Sequence, residues 1–196
     1  VAECATYNKD STFLWNRNLR HPDFLFHRMG LGRIPFQVPI SVPKEHFKVH
    51  KDELALKPQD IKASFEMMND VPVGIDFLEH FLIGVIGGER KEGALKIARN
   101  LLIQIAANNS YTDVKIGVIY NREKSYEEEC LSCTKWLPHT WSEDKKNRYV
   151  ADNKTDAMDV LYEITNILRE REENEKQKNQ INRPYYVLFL TDMSIL

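Results

Sequence analysis

Between Phe81 and Tyr120 the pattern of apolar and polar positions changes period twice. Phe81–Ile86 is a short apolar run rich in β-branched residues and closed by Gly87 and Gly88. Such a run predicts a strand buried on both faces. Leu95, Ala98, Leu101, Leu102, Ile105 and Ala106 then recur at three- and four-residue steps, which predicts an amphipathic helix. Val114–Tyr120 is apolar and β-branched again, a second buried strand. A strand that feeds a helix through glycines and returns to a parallel strand is the core of a nucleotide-binding α/β unit.

The rest of the chain is arranged around that unit. Residues 1–11 carry little pattern. The stretch from Trp15 through Phe24 to Gly32 combines aromatics, an arginine and a Gly-x-Gly, and reads as a tight irregular loop. Phe36–Val42 alternates around Pro39 and reads as an edge strand, since proline cannot donate to a central ladder. Ile61, Phe65 and Met68 fall at helical spacing after Pro58, and Val71–Phe77 reads as a further edge strand. Beyond Tyr120 the chain turns acidic at Glu127–Glu129, and Arg148–Ala151 is a short strand candidate. Thr155 and Asp156 open a helix whose stripe is Met158, Leu161, Tyr162, Ile164, Thr165 and Leu168. The charged run Arg169–Asn182 is a solvated helix end or loop, stopped by Pro184, and Tyr186–Asp192 is a buried strand ending in an acid. The expected organisation is a β-rich linker over residues 1–70 and an α/β domain over 71–196. The expected fold is a three-layer α/β domain with a mainly parallel sheet of degenerate P-loop type.

The glycine turn is where the chemistry is read. From Gly88 the chain runs Glu89, Arg90, Lys91, Glu92, Gly93, Ala94, Leu95, so the two glycines stand at phosphate-loop spacing. Ala94 occupies the place of the lysine that bridges phosphates, and Leu95 that of the hydroxyl that holds Mg²⁺. Glu89 and Glu92 would repel a polyphosphate. Asp192 ends an apolar strand, as does the acid of a working P-loop enzyme, but Met193 follows it where a water-activating glutamate would stand. The catalytic set is missing, so no catalytic residue is expected and no cofactor in this chain. The alternative is a weak nucleotide binder using the Gly87–Gly93 amides and Asp192.

Composition narrows the other classes. Lys and Arg number 27 against 29 Asp and Glu in 196 residues, a net charge of −2 that carries no nucleic-acid signature. No run is long and apolar enough to span a membrane, and an opening on Val1 without a signal-like region reads as an excised piece. Three cysteines, an odd number, fit a reducing compartment. Cys130-x-x-Cys133, with His139 and Cys4 as imaginable additions, offers one ligand pair where a zinc site wants two, so no metal is expected. Lys44, His46, Lys48, His50 and Lys51 could meet anionic lipid, but Glu45, Asp52 and Glu53 dilute them into an ordinary solvated loop.

Six motifs in order carry a resemblance: Leu14-Trp15-Asn16-Arg17, Pro22-Asp23-Phe24-Leu25, Arg28–Gly32, the Gly87-Gly88 turn, Gln104-Ile105-Ala106 and Trp136-Leu137-Pro138-His139. Together they resemble the FtsK/SpoIIIE-type membrane ATPases of type VII secretion, the EssC/EccC/YukB family, in the cytosolic region between the transmembrane helices and the first motor domain. The resemblance runs from about Phe13 to Asp192. It departs from the family at Asn16, where the family has an acid. It implies an ATPase-like but degenerate domain on the cytoplasmic side of a bacterial cell membrane. Its implied partners are the other domains of the same ATPase, membrane components of the secretion system and small helical exported substrates, with no nucleic acid. Trp15, Arg17, Phe24, Trp136 and His139 are the candidates for contact with partners. Of the two tryptophans, Trp136 is expected in the core and Trp15 at the coupling surface.

Overall fold

The computed structural model describes residues 11–42, 53–89, 91–175 and 183–196. The basic stretch from Lys44 to Lys51, Cys4, Arg90 and the end of the charged run lie outside the described residues. The chain forms two compact units, one of Arg28–Ile75 and one that joins the described residues up to His27 with Asp76–Leu196.

The smaller unit is built on a two-stranded antiparallel sheet of β1 (Phe26–Pro35) and β2 (Met67–Asp76), with helix α1 (Glu53–Ser64) between them in sequence. The irregular loop expected through Arg28–Gly32 is therefore a strand, and the strand expected at Phe36–Val42 is not formed. Gly32 explains part of this. A Cβ there would lie 2.7 Å from a Val73 methyl, so the glycine permits the close approach of two chains. The expected β2 is present, and it begins earlier, taking in Met68, which had been placed on the preceding helix.

The larger unit is α/β. Its sheet has the order β4-β3-β5, all parallel, from β3 (Val114–Ile119), β4 (Val150–Ala151) and β5 (Tyr185–Leu190). Every residue of β3 is buried, as befits the central strand. Val114, Ile116 and Val118 share one core cluster with Leu95, Leu102 and Ile105 of α2 (Lys91–Asn108). Ile119, on the opposite face, shares a second cluster with Ala157, Val160 and Ile164 of α4 (Lys154–Glu175). One helix thus covers each face. A short helix α3 (Ser125–Leu131) and two 3₁₀ turns, Ser132–Trp136 and Pro138–Thr140, lead from β3 towards β4. The helix α4 opens on Asn153, whose side-chain oxygen accepts from the Asp156 amide at 3.1 Å, one residue pair ahead of the expected Thr155 start. Its inward stripe is Ala157, Val160, Leu161, Ile164 and Ile167, while Met158, Tyr162 and Leu168 are exposed. The helical period was legible, but its phase was displaced by apolar side chains that face water.

The first expected strand is absent. Phe81–Gly87 is irregular, makes no backbone hydrogen bond to β3 or β5 among the described residues, and leaves Phe81, Leu82 and Ile86 at least 93% exposed. A β-branched run favours extension, but only an adjacent free edge in register makes it a strand, and β3 has both of its edges occupied by β4 and β5.

Candidate functional site

In a parallel α/β sheet ligands are met at the carboxyl ends of the strands. Here β3 delivers Asn121, α3 brings Lys124 and Glu127, and β5 delivers Thr191 and Asp192. The Thr191 amide donates to the Ile119 carbonyl at 3.1 Å, which locks the two strand ends side by side. Asp192 accepts from the Lys124 ammonium, from Asn121 Nδ2 at 3.3 Å and from the Ser194 amide at 3.0 Å. Glu127, its side chain only 3% exposed, accepts from the Asn121 amide at 2.9 Å and the Thr191 hydroxyl at 2.7 Å, with Lys124 Nζ 3.5 Å away.

The electrostatics follow from the donors. The hydrogen bond from Lys124, supported by the Ser194 amide, holds the Asp192 carboxyl well below the usual carboxylate range. The same bond raises the Lys124 ammonium above its ordinary value, so both stay charged at neutral pH. Both acids of this pole are thus occupied by the protein's own donors. An Mg²⁺ ion needs carboxylate oxygens free to turn towards it, and a lysine clamped between the two acids stands in that role instead.

The glycine turn completes the picture. Gly88 adopts φ +57°, a left-handed turn that its missing Cβ makes cheap. Gly93 and Ala94 lie in the first turn of α2, and Leu95 is 6% exposed within the core. The position where a phosphate loop carries a metal-binding hydroxyl is used here for packing.

The remaining candidate residues divide by exposure. Phe24 is buried and packs edge-on against Tyr185, at 5.6 Å between ring centres. Arg17 pairs with Asp23 at 3.0 Å and donates to the Phe26 carbonyl at 3.2 Å, so its partner is an aspartate six residues on rather than its neighbour Asn16. Trp15, half exposed, caps the end of α2. Its indole donates to the Ala106 carbonyl at 2.9 Å and its amide to that of Ala107 at 2.9 Å, while the Arg17 amide serves Asn108 at 2.9 Å. Three of the carbonyls that a helix end leaves orphaned are thereby satisfied by one tripeptide. The Trp15 ring also meets Tyr111 and His139 edge-on, at 5.8 and 6.4 Å. His139 is buried, donates from Nε2 to the Asn109 carbonyl at 2.8 Å, and is held below its usual pKa by that burial. Trp136 reverses expectation. It is 75% exposed and lies outside the core, because the 3₁₀ turn that ends on it directs Thr134 inward and the indole out.

The two thiols of Cys130 and Cys133 are free, and no group of three or more potential metal ligands occurs among the described residues. No helix among them is long and apolar enough to cross a membrane.

Lys124, Glu127 and Thr191 were missed by sequence reasoning. The signal available was the polar set just past two buried strands, Asn121 to Lys124 and Thr191-Asp192. Pattern alone does not say that those two ends are neighbours.

No protein-family model matches the chain. The ESX secretion system protein EccC of Geobacillus thermodenitrificans is 27% identical over 184 residues, which is 93% of this chain and 12% of that protein. The ESX secretion system protein YukB of Bacillus subtilis is 27% identical over 191 residues, again 93% of this chain and 12% of the relative. The chain therefore spans about one-eighth of the length of the curated relatives it matches. Over nearly its whole length, the chain is thus similar to the EccC and YukB secretion proteins.

Proposed function

We propose that this chain is a non-catalytic, ATPase-like domain of a type VII secretion protein, linking that protein's membrane region to its working ATPase domains during export. The fold read here is a degenerate P-loop type, supported by the parallel sheet, the glycine turn before α2 and the acid at the end of β5. The observation that carries the reading is the Lys124 clamp, which ties Asp192 and Glu127 together where a motor would keep acids free for Mg²⁺ and water. Ala94 and Leu95 in the loop agree with it. On this reading the partners are the other domains of the same ATPase and the membrane components of the secretion system, with the domain on the cytoplasmic side of a bacterial membrane. Exported small helical proteins are its substrates only through the parent protein.

Calorimetry with Mg·ATP on the 196-residue chain tests this. The expected affinity is no tighter than millimolar, about −4 kcal/mol. A micromolar constant that depends on Mg²⁺ overturns the reading in favour of a nucleotide-binding regulatory domain.

A further inference from the structure

At the amino end of β3, away from the Asp192 pole, an open-sided cleft of about 630 Å³ is walled by Tyr111, Trp136, Pro138 and Trp141. Of the polar residues that line it, Lys115 is the most deeply buried. We propose that this cleft binds a polypeptide segment in which a carboxylate adjoins a large apolar side chain.

Lys115 is the anomaly that carries the inference. It is 4% exposed, the second residue of a strand whose six residues are all buried. A lysine so placed is expected to have an acid beside it. Among the described residues it forms no ion pair; its ammonium lies over the face of Tyr111, 5.7 Å from the ring centre, and Glu143 attracts it without closing a contact. Glu143 and Lys145 also line the cleft; the first attracts the ammonium and the second repels it, but among the described residues Glu143 closes no salt bridge with it. Lys135 adds a further cation over the Trp136 ring at 5.8 Å. The balance of charge therefore favours an anion, and the single buried ammonium fits a single carboxylate.

The walls select what accompanies it. Trp136 presents most of its indole to solvent, and Trp141 is held flat by the Arg148 guanidinium, 4.1 Å from its ring centre. Rigid aromatic faces beside a proline are good receptors for an aromatic or branched apolar side chain. A polyphosphate fits poorly, because neither the glycine turn nor the start of α2 or α4 lines the cleft. The Lys115 ammonium opens on the cleft with no carboxylate in contact, and an incoming one would form a charge-assisted bond with it. The cleft lies about 20 Å along the direction of β3 from the clamped acids, at about 3.3 Å per residue, so the inference stands whether or not nucleotide binds.

The test uses the whole chain and two acetylated, amidated tetrapeptides, Leu-Phe-Glu-Ala and its isostere Leu-Phe-Gln-Ala. Binding is followed through the three tryptophan indole N–H signals by NMR. The glutamate peptide is expected to move the Trp136 and Trp141 signals and to bind at least tenfold more tightly than the glutamine peptide. Lys115→Met, which keeps the buried volume, should abolish that difference. Trp136→Ala, at an exposed position that the fold tolerates, should weaken both peptides while leaving their ratio. Equal binding of the two peptides to the wild-type chain overturns the proposal, as does the absence of any shift at millimolar peptide. If Lys115→Met does not fold, the wild-type ratio and Trp136→Ala still decide. A nucleotide titration reads the other pole separately, so the failure of either reading is distinguishable from failure of the other.

Discussion

Removing the ammonium between Asp192 and Glu127 is the sharpest perturbation of the strand-end cluster. Lys124→Met keeps the length and apolar stem of the side chain and deletes only its charge. The Lys124 side chain is 34% exposed, that of Glu127 3% and that of Asp192 10%. Without Lys124 the cluster changes from one net negative charge to two, with no cation between them. Breaking a fully buried pair costs about 3–5 kcal/mol. Here the lysine is partly solvated, and Thr191, Asn121 and Ser194 continue to donate to the acids. Those donors and the nearby water bring the expected loss down to roughly 1–3 kcal/mol. In thermal unfolding followed by circular dichroism this corresponds to a fall in Tm of about 3–10 °C for a chain of this size. The double variant Lys124→Met/Asp192→Asn removes the excess charge and should recover at least half of the loss, measured by urea unfolding at neutral pH. Asp192 has its carboxyl held low in the folded state, so its contribution is complete at neutral pH and disappears only as strong acid protonates it. A single variant that unfolds within about 0.5 kcal/mol of wild type, or a double variant that recovers nothing, refutes the clamp.

Two further outcomes concern a buried imidazole and two indoles. Burial, helped by the Arg17 guanidinium, lowers His27 from 6.5 to about 4. The unfolded chain then binds more protons than the folded one between those values, so stability is complete above pH 6.5. It falls by roughly 3 kcal/mol as the pH drops to about 4, with His139 displaced in the same direction. Urea midpoints that stay level across that window, or an unchanged slope in His27→Gln, contradict this. Trp15→Ala loses the indole bond to Ala106 and two edge-on ring contacts and should cost roughly 1–3 kcal/mol, whereas the exposed Trp136→Ala should stay within about 0.5 kcal/mol of wild type. The reverse order in a denaturant series would return Trp136 to the core.

The helix α2 and the strands β3 and β5 were legible because their patterns are strong and their partners are close in the fold, although β5, expected as a buried strand, lies at the sheet edge and is only half-buried. In β3 a β-branched apolar run, interrupted by Lys115, matched a central strand, and in α2 the stripe from Leu95 to Ala106 named its buried face. The strand expected at Phe81–Ile86 shows the limit, since residue type reports a preference for extension but not the presence of an edge to pair with. The phase of α4 failed for a related reason: Met158 and Tyr162 are apolar enough to read as core and still face solvent. At the site, the missing lysine and hydroxyl of the loop were plain from spacing. The Lys124 clamp was not, because it depends on three segments that meet only after the sheet has formed. Lys115 did leave a trace, a charged residue in the middle of Val114–Ile119, which a search for apolar runs passes over.

The irregular, exposed segment Phe81–Gly87 has a material consequence for the isolated chain. Covering Phe81, Leu82 and Ile86 would each release about 1.5–3 kcal/mol of hydration free energy. Three such side chains on one short ribbon act as an adhesive strip on an otherwise charge-balanced particle. With a net charge of only −2, long-range repulsion does little to keep two such particles apart. These three are the most exposed of the chain's large apolar side chains among the described residues, and a surface that covers them removes one drive for molecules in a concentrated solution to adhere.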